Sequence, residues 1–191
     1  MKCSENRNTG GFTLIELLVS IGIGMVVLAA VTTTFMSQTR FYSAQEQVNE
    51  MGQNARGALD IITRELKMAG YKPNGGSFSG ITYDTTQLRI QTDISGNDGA
   101  TTGTNENIIY SYNSTNKQIL RNGQPLADNI TAFTFSYLDS AGAATYTTPD
   151  IRQVSVSITA RTARPDPNYT ANGGYREYTV TATITPLNLA L

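Results

Sequence analysis

Residues 10–19 read GGFTLIELLV: two glycines, an aromatic ring, then an apolar run with Glu16 set inside it. The run continues from Leu17 to Thr39 as LLVSIGIGMVVLAAVTTTFMSQT, with no charge before Arg40. About 23 residues of helix rise roughly 35 Å, the thickness of a bilayer core. The segment is therefore predicted to be a helix able to cross a membrane, with its threonine-rich end near an interface. Lys2 and Arg7 precede it, partly offset by Glu5. This weak positive bias favours a cytoplasmic N-terminus.

Two ordinary readings explain the segment only in part. A secretory signal peptide has an apolar core of about 7–15 residues and a small-x-small cleavage site. This run is longer, starts with a carboxylate and offers only Leu28-Ala29-Ala30 as a candidate. A plain membrane anchor accounts for the length but leaves Glu16 without a purpose. A charge at mid-membrane costs roughly 2.5–3.5 kcal/mol on insertion scales, and less near the interface.

The helical pattern does not stop at Arg40. Phe41, Ala44, Val48, Met51, Ala55, Ala58, Ile62, Leu66 and Ala69 recur at spacings of three and four, an apolar stripe suited to packing on a sheet. The other face carries Glu46, Asn49, Glu50, Gln53, Arg56, Asp60, Arg64 and Lys67. Gly70, Pro73 and Gly75-Gly76 form the stop signal. A helix over residues 12–69 would be on the order of 85 Å long, and no compact domain of this size buries such a rod. Its first half must find lipid or other subunits. Gly52 and Gly57 interrupt the polar side for no reason visible in the sequence.

Beyond residue 77 the period changes to two. Leu88/Ile90, Ile108/Tyr110/Tyr112, Phe133/Phe135/Tyr137, Val154 to Ala160 and Tyr178 to Ile184 alternate with polar partners and predict strands. Asn122-Gly123 predicts a two-residue hairpin turn. The expected fold is α+β: a long N-terminal helix packed on a mainly antiparallel sheet. The expected divisions are residues 1–11 as a leader, 12–39 as a membrane helix, 40–70 as its amphipathic continuation and 71–191 as a β-rich domain.

Composition narrows the function. The 191 residues include 14 Lys+Arg against 15 Asp+Glu, so no field gathers nucleic acid. No histidine is present, which removes imidazole-based catalysis and the commonest transition-metal ligand. Cys3, the single cysteine, forms no intrachain disulfide. Phosphate loops and paired catalytic carboxylates are lacking, so neither an enzyme nor a cofactor is expected. In DISGNDGATTGTNE, residues 93–106, Asp93, Ser95, Asn97, Asp98 and Glu106 offer oxygen ligands, but the glycine falls at position seven rather than at the EF-hand's six. A solvated, turn-rich loop is expected there in preference to a calcium site. A second loop, residues 164–174 (RPDPNYTANGG), is expected to be a hairpin end, with contact to a neighbouring subunit or a surface as the alternative.

Gly11-Phe12-Thr13-Leu14-Ile15-Glu16, with a short polar leader before it and an uncharged helix after it, resembles the signal of type IV prepilins and of type II secretion pseudopilins. QNARGALDIITRELKMAGY, residues 53–71, and the tyrosine-rich β half are similar to minor pilins of the PilW type and to J-type pseudopilins. The resemblance implies the pilin fold and cleavage after Gly11 by a prepilin peptidase. It further implies methylation of the new amino terminus, Phe12, and assembly with major and minor pilins through an inner-membrane platform. Glu16 would then meet the amino group of a neighbouring subunit, while Ser20, Gly22 and Gly24 would permit close helix packing or local unwinding. Thr33 stands where many major pilins carry a kinking proline, which points to a minor pilin or pseudopilin. A disulfide-pinned C-terminal loop, also implied, is beyond a chain with one cysteine. The rival from another class is a membrane-tethered periplasmic binding domain.

Overall fold

A computed structural model describes residues 11–96 and 99–189 of the chain. Helix α1 (Leu14–Met68) is followed by strands β1 (Ile81–Thr82), β2 (Gln87–Gln91), β3 (Asn107–Asn113), β4 (Gln118–Arg121), β5 (Gln124–Ala127), β6 (Ile130–Leu138), β7 (Gln153–Arg161) and β8 (Glu177–Ile184). The chain forms two units, divided between Gln45 and Glu46.

From Leu14 onward the first unit is helical, and its large apolar side chains there are bare. Its most apolar 18-residue window has a mean hydropathy of 2.5 with none of it buried. The threonines near its end are compatible with lipid because their hydroxyls donate to their own helix: Thr32 to the Leu28 carbonyl, Thr33 to Ala29 and Thr34 to Ala30, at 2.8–2.9 Å. Phe41 is also exposed, since the apolar stripe is covered only from Val48 onward.

In the second unit Met51, Ala55, Ala58, Ile62 and Leu66 are buried, the regular face that the stripe predicted. The exposed Asp60–Arg64 pair closes at 2.6 Å, one turn apart. The helix ends at a crowded corner. Gly70 takes φ +78°, open to glycine without steric cost, and its N–H donates to the Gln91 carbonyl at 2.9 Å. Gly80 lies against this backbone: a Cβ there would fall 2.5 Å from Gly70 Cα and 2.8 Å from the Ala69 carbonyl carbon.

The strands are antiparallel throughout but form two sheets, not the single one expected: β1-β2-β3-β4-β5 and β6-β7-β8. The break falls at Asp128-Asn129, where Asn129 turns the chain with φ +56°. Asn54 of α1 holds this corner by donating to the Asp128 carbonyl at 2.6 Å. Asn122 and Gly123, at φ +50° and +79°, make the predicted hairpin turn between β4 and β5. Strand β1, two residues long, was too short to show a period.

A polar cluster joins helix to sheet. Glu65 accepts two hydrogen bonds from Arg121, Nε at 3.0 Å and Nη2 at 2.7 Å, and a third from the Tyr110 hydroxyl. Tyr110 is fully buried, so its hydroxyl needs that acceptor. Burial, then Glu65, keeps this phenol above the ordinary tyrosine range. Tyr137, which donates to the Asp84 carbonyl, is pushed up by burial to about 12.

Gly80→Ala is expected to lower unfolding free energy by about 1–3 kcal/mol through overpacking against backbone, read from the urea midpoint. The Tyr137 shift is upward from 10.0, so its contribution to stability is complete below pH 10 and is lost as pH rises toward about 12. Denaturant midpoints measured across that window should fall together with the appearance of tyrosinate absorbance.

Candidate processing and assembly site

Gly11, Phe12 and Thr13 precede α1 in non-helical backbone, and Phe12 is 88 % exposed. The helix then opens on a reciprocal pair. The Thr13 N–H and hydroxyl donate to Glu16 Oε2 at 3.1 and 3.0 Å, while the Glu16 N–H donates to Thr13 Oγ1 at 3.3 Å. This capping box satisfies N–H groups that have no acceptor inside the helix and sets a carboxylate at the positive end of its dipole. Glu16 Oε1 has no partner among the described residues. The Ser20 hydroxyl donates to the Glu16 carbonyl at 2.7 Å, one turn on.

The structure thus brings Thr13, Glu16 and Ser20 into consecutive turns. Gly22 and Gly24 lie further along in unbroken helix, with nothing within 4 Å of where their Cβ atoms would be. Thr13 is the residue sequence reasoning missed. Its signal was the Thr-x-x-Glu spacing of residues 13–16.

The loop over residues 93–106 holds two carboxylates that its sequence did not single out as buried. Most of its described residues are exposed or half-buried, as expected of a solvated loop, but Asp93 and Glu106 at its two ends are buried. Their oxygens accept from the loop itself: Glu106 Oε1 from the Ser95 N–H at 2.9 Å, Oε2 from the Gly103 N–H at 2.6 Å, and Asp93 Oδ1 from the Gly96 N–H at 2.7 Å. These bonds, led by Ser95, hold the Glu106 carboxyl below its usual range. Asn97 and Asp98 lie outside the described residues. Among the described residues no group of three Asp, Glu, His or Cys could hold a metal ion.

The loop over residues 164–174 is tied down without a disulfide. Asp166 pairs with Arg176 at 2.9 Å, and Arg176 lies over the Tyr169 ring at 4.9 Å. The Arg164 N–H donates to Gln47 of α1 at 2.9 Å. Gly57 lines a cleft of about 470 Å³ with Met51, Asn54, Leu126 and Arg161. Nothing in the structure explains Gly52.

Glu106→Gln replaces one accepting oxygen by an NH2 group that cannot take the bonds the loop offers, and is expected to lower the melting temperature by several degrees. Calcium added to the unaltered protein should leave that temperature unchanged.

Comparison with known proteins agrees with this geometry at both ends. The model of the prokaryotic N-terminal methylation motif matches residues 6–32. No curated protein matches the chain in sequence. Among solved structures, the chain is similar to a type IV-like pilin from Thermus thermophilus, with a TM-score of 0.50 and 14 % identity over 73 % of this chain and 98 % of that one. At that identity the likeness speaks for the fold alone. The chain therefore has the α+β fold of a type IV pilin, behind an N-terminal segment that matches a methylation motif.

Proposed function

We propose that this chain is a minor pilin, anchored in the inner membrane with its N-terminus in the cytoplasm. A prepilin peptidase cuts it after Gly11 and Phe12 is methylated. The inner-membrane platform then assembles it with major and minor pilins into a pilus or its initiating tip complex. It is a structural subunit rather than an enzyme. The observation that carries the reading is the apolar helix with no cover of its own, headed by the capped Glu16. Lipid covers that surface first and neighbouring helices cover it after assembly, since both offer apolar surroundings.

The cap refines the role of Glu16. Thr13 occupies Oε2, which lowers the cost of a carboxylate in lipid, and Oε1 is left to accept from the amino terminus of a neighbouring subunit. A helix docked in another register would leave that charge unpaired, so the pair selects the register. Ser20, Gly22 and Gly24 give the neighbour close access to the helix backbone.

Mass spectrometry of the mature chain should find an amino terminus at N-methyl-Phe12; an intact residue 1–11 segment would favour a tethered binding domain instead. Glu16→Ala is expected to leave cleavage and folding intact and to reduce incorporation into sheared filaments at least tenfold, on the order of 1.4 kcal/mol. Normal incorporation would remove Glu16 from the assembly role.

A further inference from the structure

The cleft that Gly57 lines lies wholly within the second unit. Residues of α1 from Gln47 to Ile61 form one wall, and Leu126, Asp128, Asn129 and Arg161 contribute to the other. Its volume of about 470 Å³ is in the range of ligand sites. The α1 wall rises roughly 21 Å along the helix, far more than one residue needs, and suits a chain that passes along it.

Arg161 brings a charge to this cleft that no carboxylate of the protein neutralises. Its N–H donates to the Asn129 carbonyl at 2.8 Å and its guanidinium lies over the Tyr175 ring at 4.1 Å, so both base and head are held. Nε is buried without an acceptor, a cost to folding that calls for a reason. Among the described residues the Nη groups have no partner either and, unlike Nε, are not buried. Glu50 and Asp128 line the same cleft, yet neither comes within ion-pair distance of the guanidinium. The result is a fixed fork of donors with nothing in it.

Three further features bear on what fills it. Glycine inside a helix weakens it relative to alanine, and nothing lies within 4 Å of where a Gly57 Cβ would be, so the chain's own packing does not call for glycine there. Bare backbone on a cleft wall lets another chain approach closely. The side-chain amides of Gln53 and Asn129, one on each wall, hold no hydrogen bond among the described residues, and an amide both donates and accepts, as a peptide group requires. Glu50 and Asp128 would repel the second charge of a phosphate, whereas a single carboxylate carries one charge and matches the guanidinium fork with its two oxygens. We propose that the cleft binds a segment of a partner protein along α1, and that Arg161 takes an aspartate or glutamate side chain of that segment. The site is separate from the head of α1 and does not depend on the assembly role of Glu16.

The test uses the full chain in detergent with isotope-labelled arginine and follows the Arg161 Nε–H signal by nuclear magnetic resonance. Burial slows the exchange of that proton with water, and Arg161→Lys assigns the signal by removing it. The probes are the blocked peptide acetyl-Ala-Glu-Ala-amide, its glutamine counterpart and inorganic phosphate. At millimolar concentration the glutamate peptide should shift the signal, and the other two should bind roughly tenfold more weakly. Gly57→Leu fills the cleft from an exposed helical position; it should abolish the shift without lowering the melting temperature. Equal binding of the two peptides would overturn the role of Arg161, and phosphate binding as tight as that of the glutamate peptide would overturn the acidic-peptide occupant. Absence of any shift with the glutamate peptide, or a shift that survives Gly57→Leu, would overturn the site itself.

Discussion

An apolar helix surface that its own chain does not cover is the constraint on which the rest depends. From Leu14 to Met36 the large side chains stand in the open, and burying each would be worth about 1.5–3 kcal/mol. The second unit is complete without them, with a core drawn from α1 beyond Val48 and from both sheets. The division of labour is therefore written into one helix: one part stabilises a domain, the other seeks surroundings outside it.

Much of this was legible in the sequence, because it rests on periodicity. The stripe from Met51 to Ala69, the alternation in β7 and β8 and the Asn122-Gly123 turn are local patterns that packing did not override. What stayed hidden was long-range. Glu65 has no partner that local spacing would reveal, and only the fold brings it to Arg121 and Tyr110. Asp93 and Glu106 looked solvated, since no local pattern says that N–H groups of a turn-rich loop will converge on a carboxylate. The division into two sheets falls at an asparagine in a left-handed conformation, Asn129, which no period reports.

The second unit also shows how a chain without a disulfide fastens its loops. Arginine does much of this, stacking Arg161 on Tyr175 at 4.1 Å and Arg176 on Tyr169 at 4.9 Å. Such contacts gain about 0.5–1 kcal/mol each at exposed sites, less than a covalent bridge, yet they need no oxidising enzyme.

The threonine at the head of α1 sets more than a helix end. A protease reads its substrate as extended chain, and if the proposed cleavage after Gly11 holds, a helix that crept backward past residue 12 would wind that peptide out of reach. Thr13, locked to Glu16, stops the winding there and leaves Gly11 and Phe12 in open backbone. On the proposed reading, one hydroxyl serves as a molecular ruler that tells the peptidase where to cut.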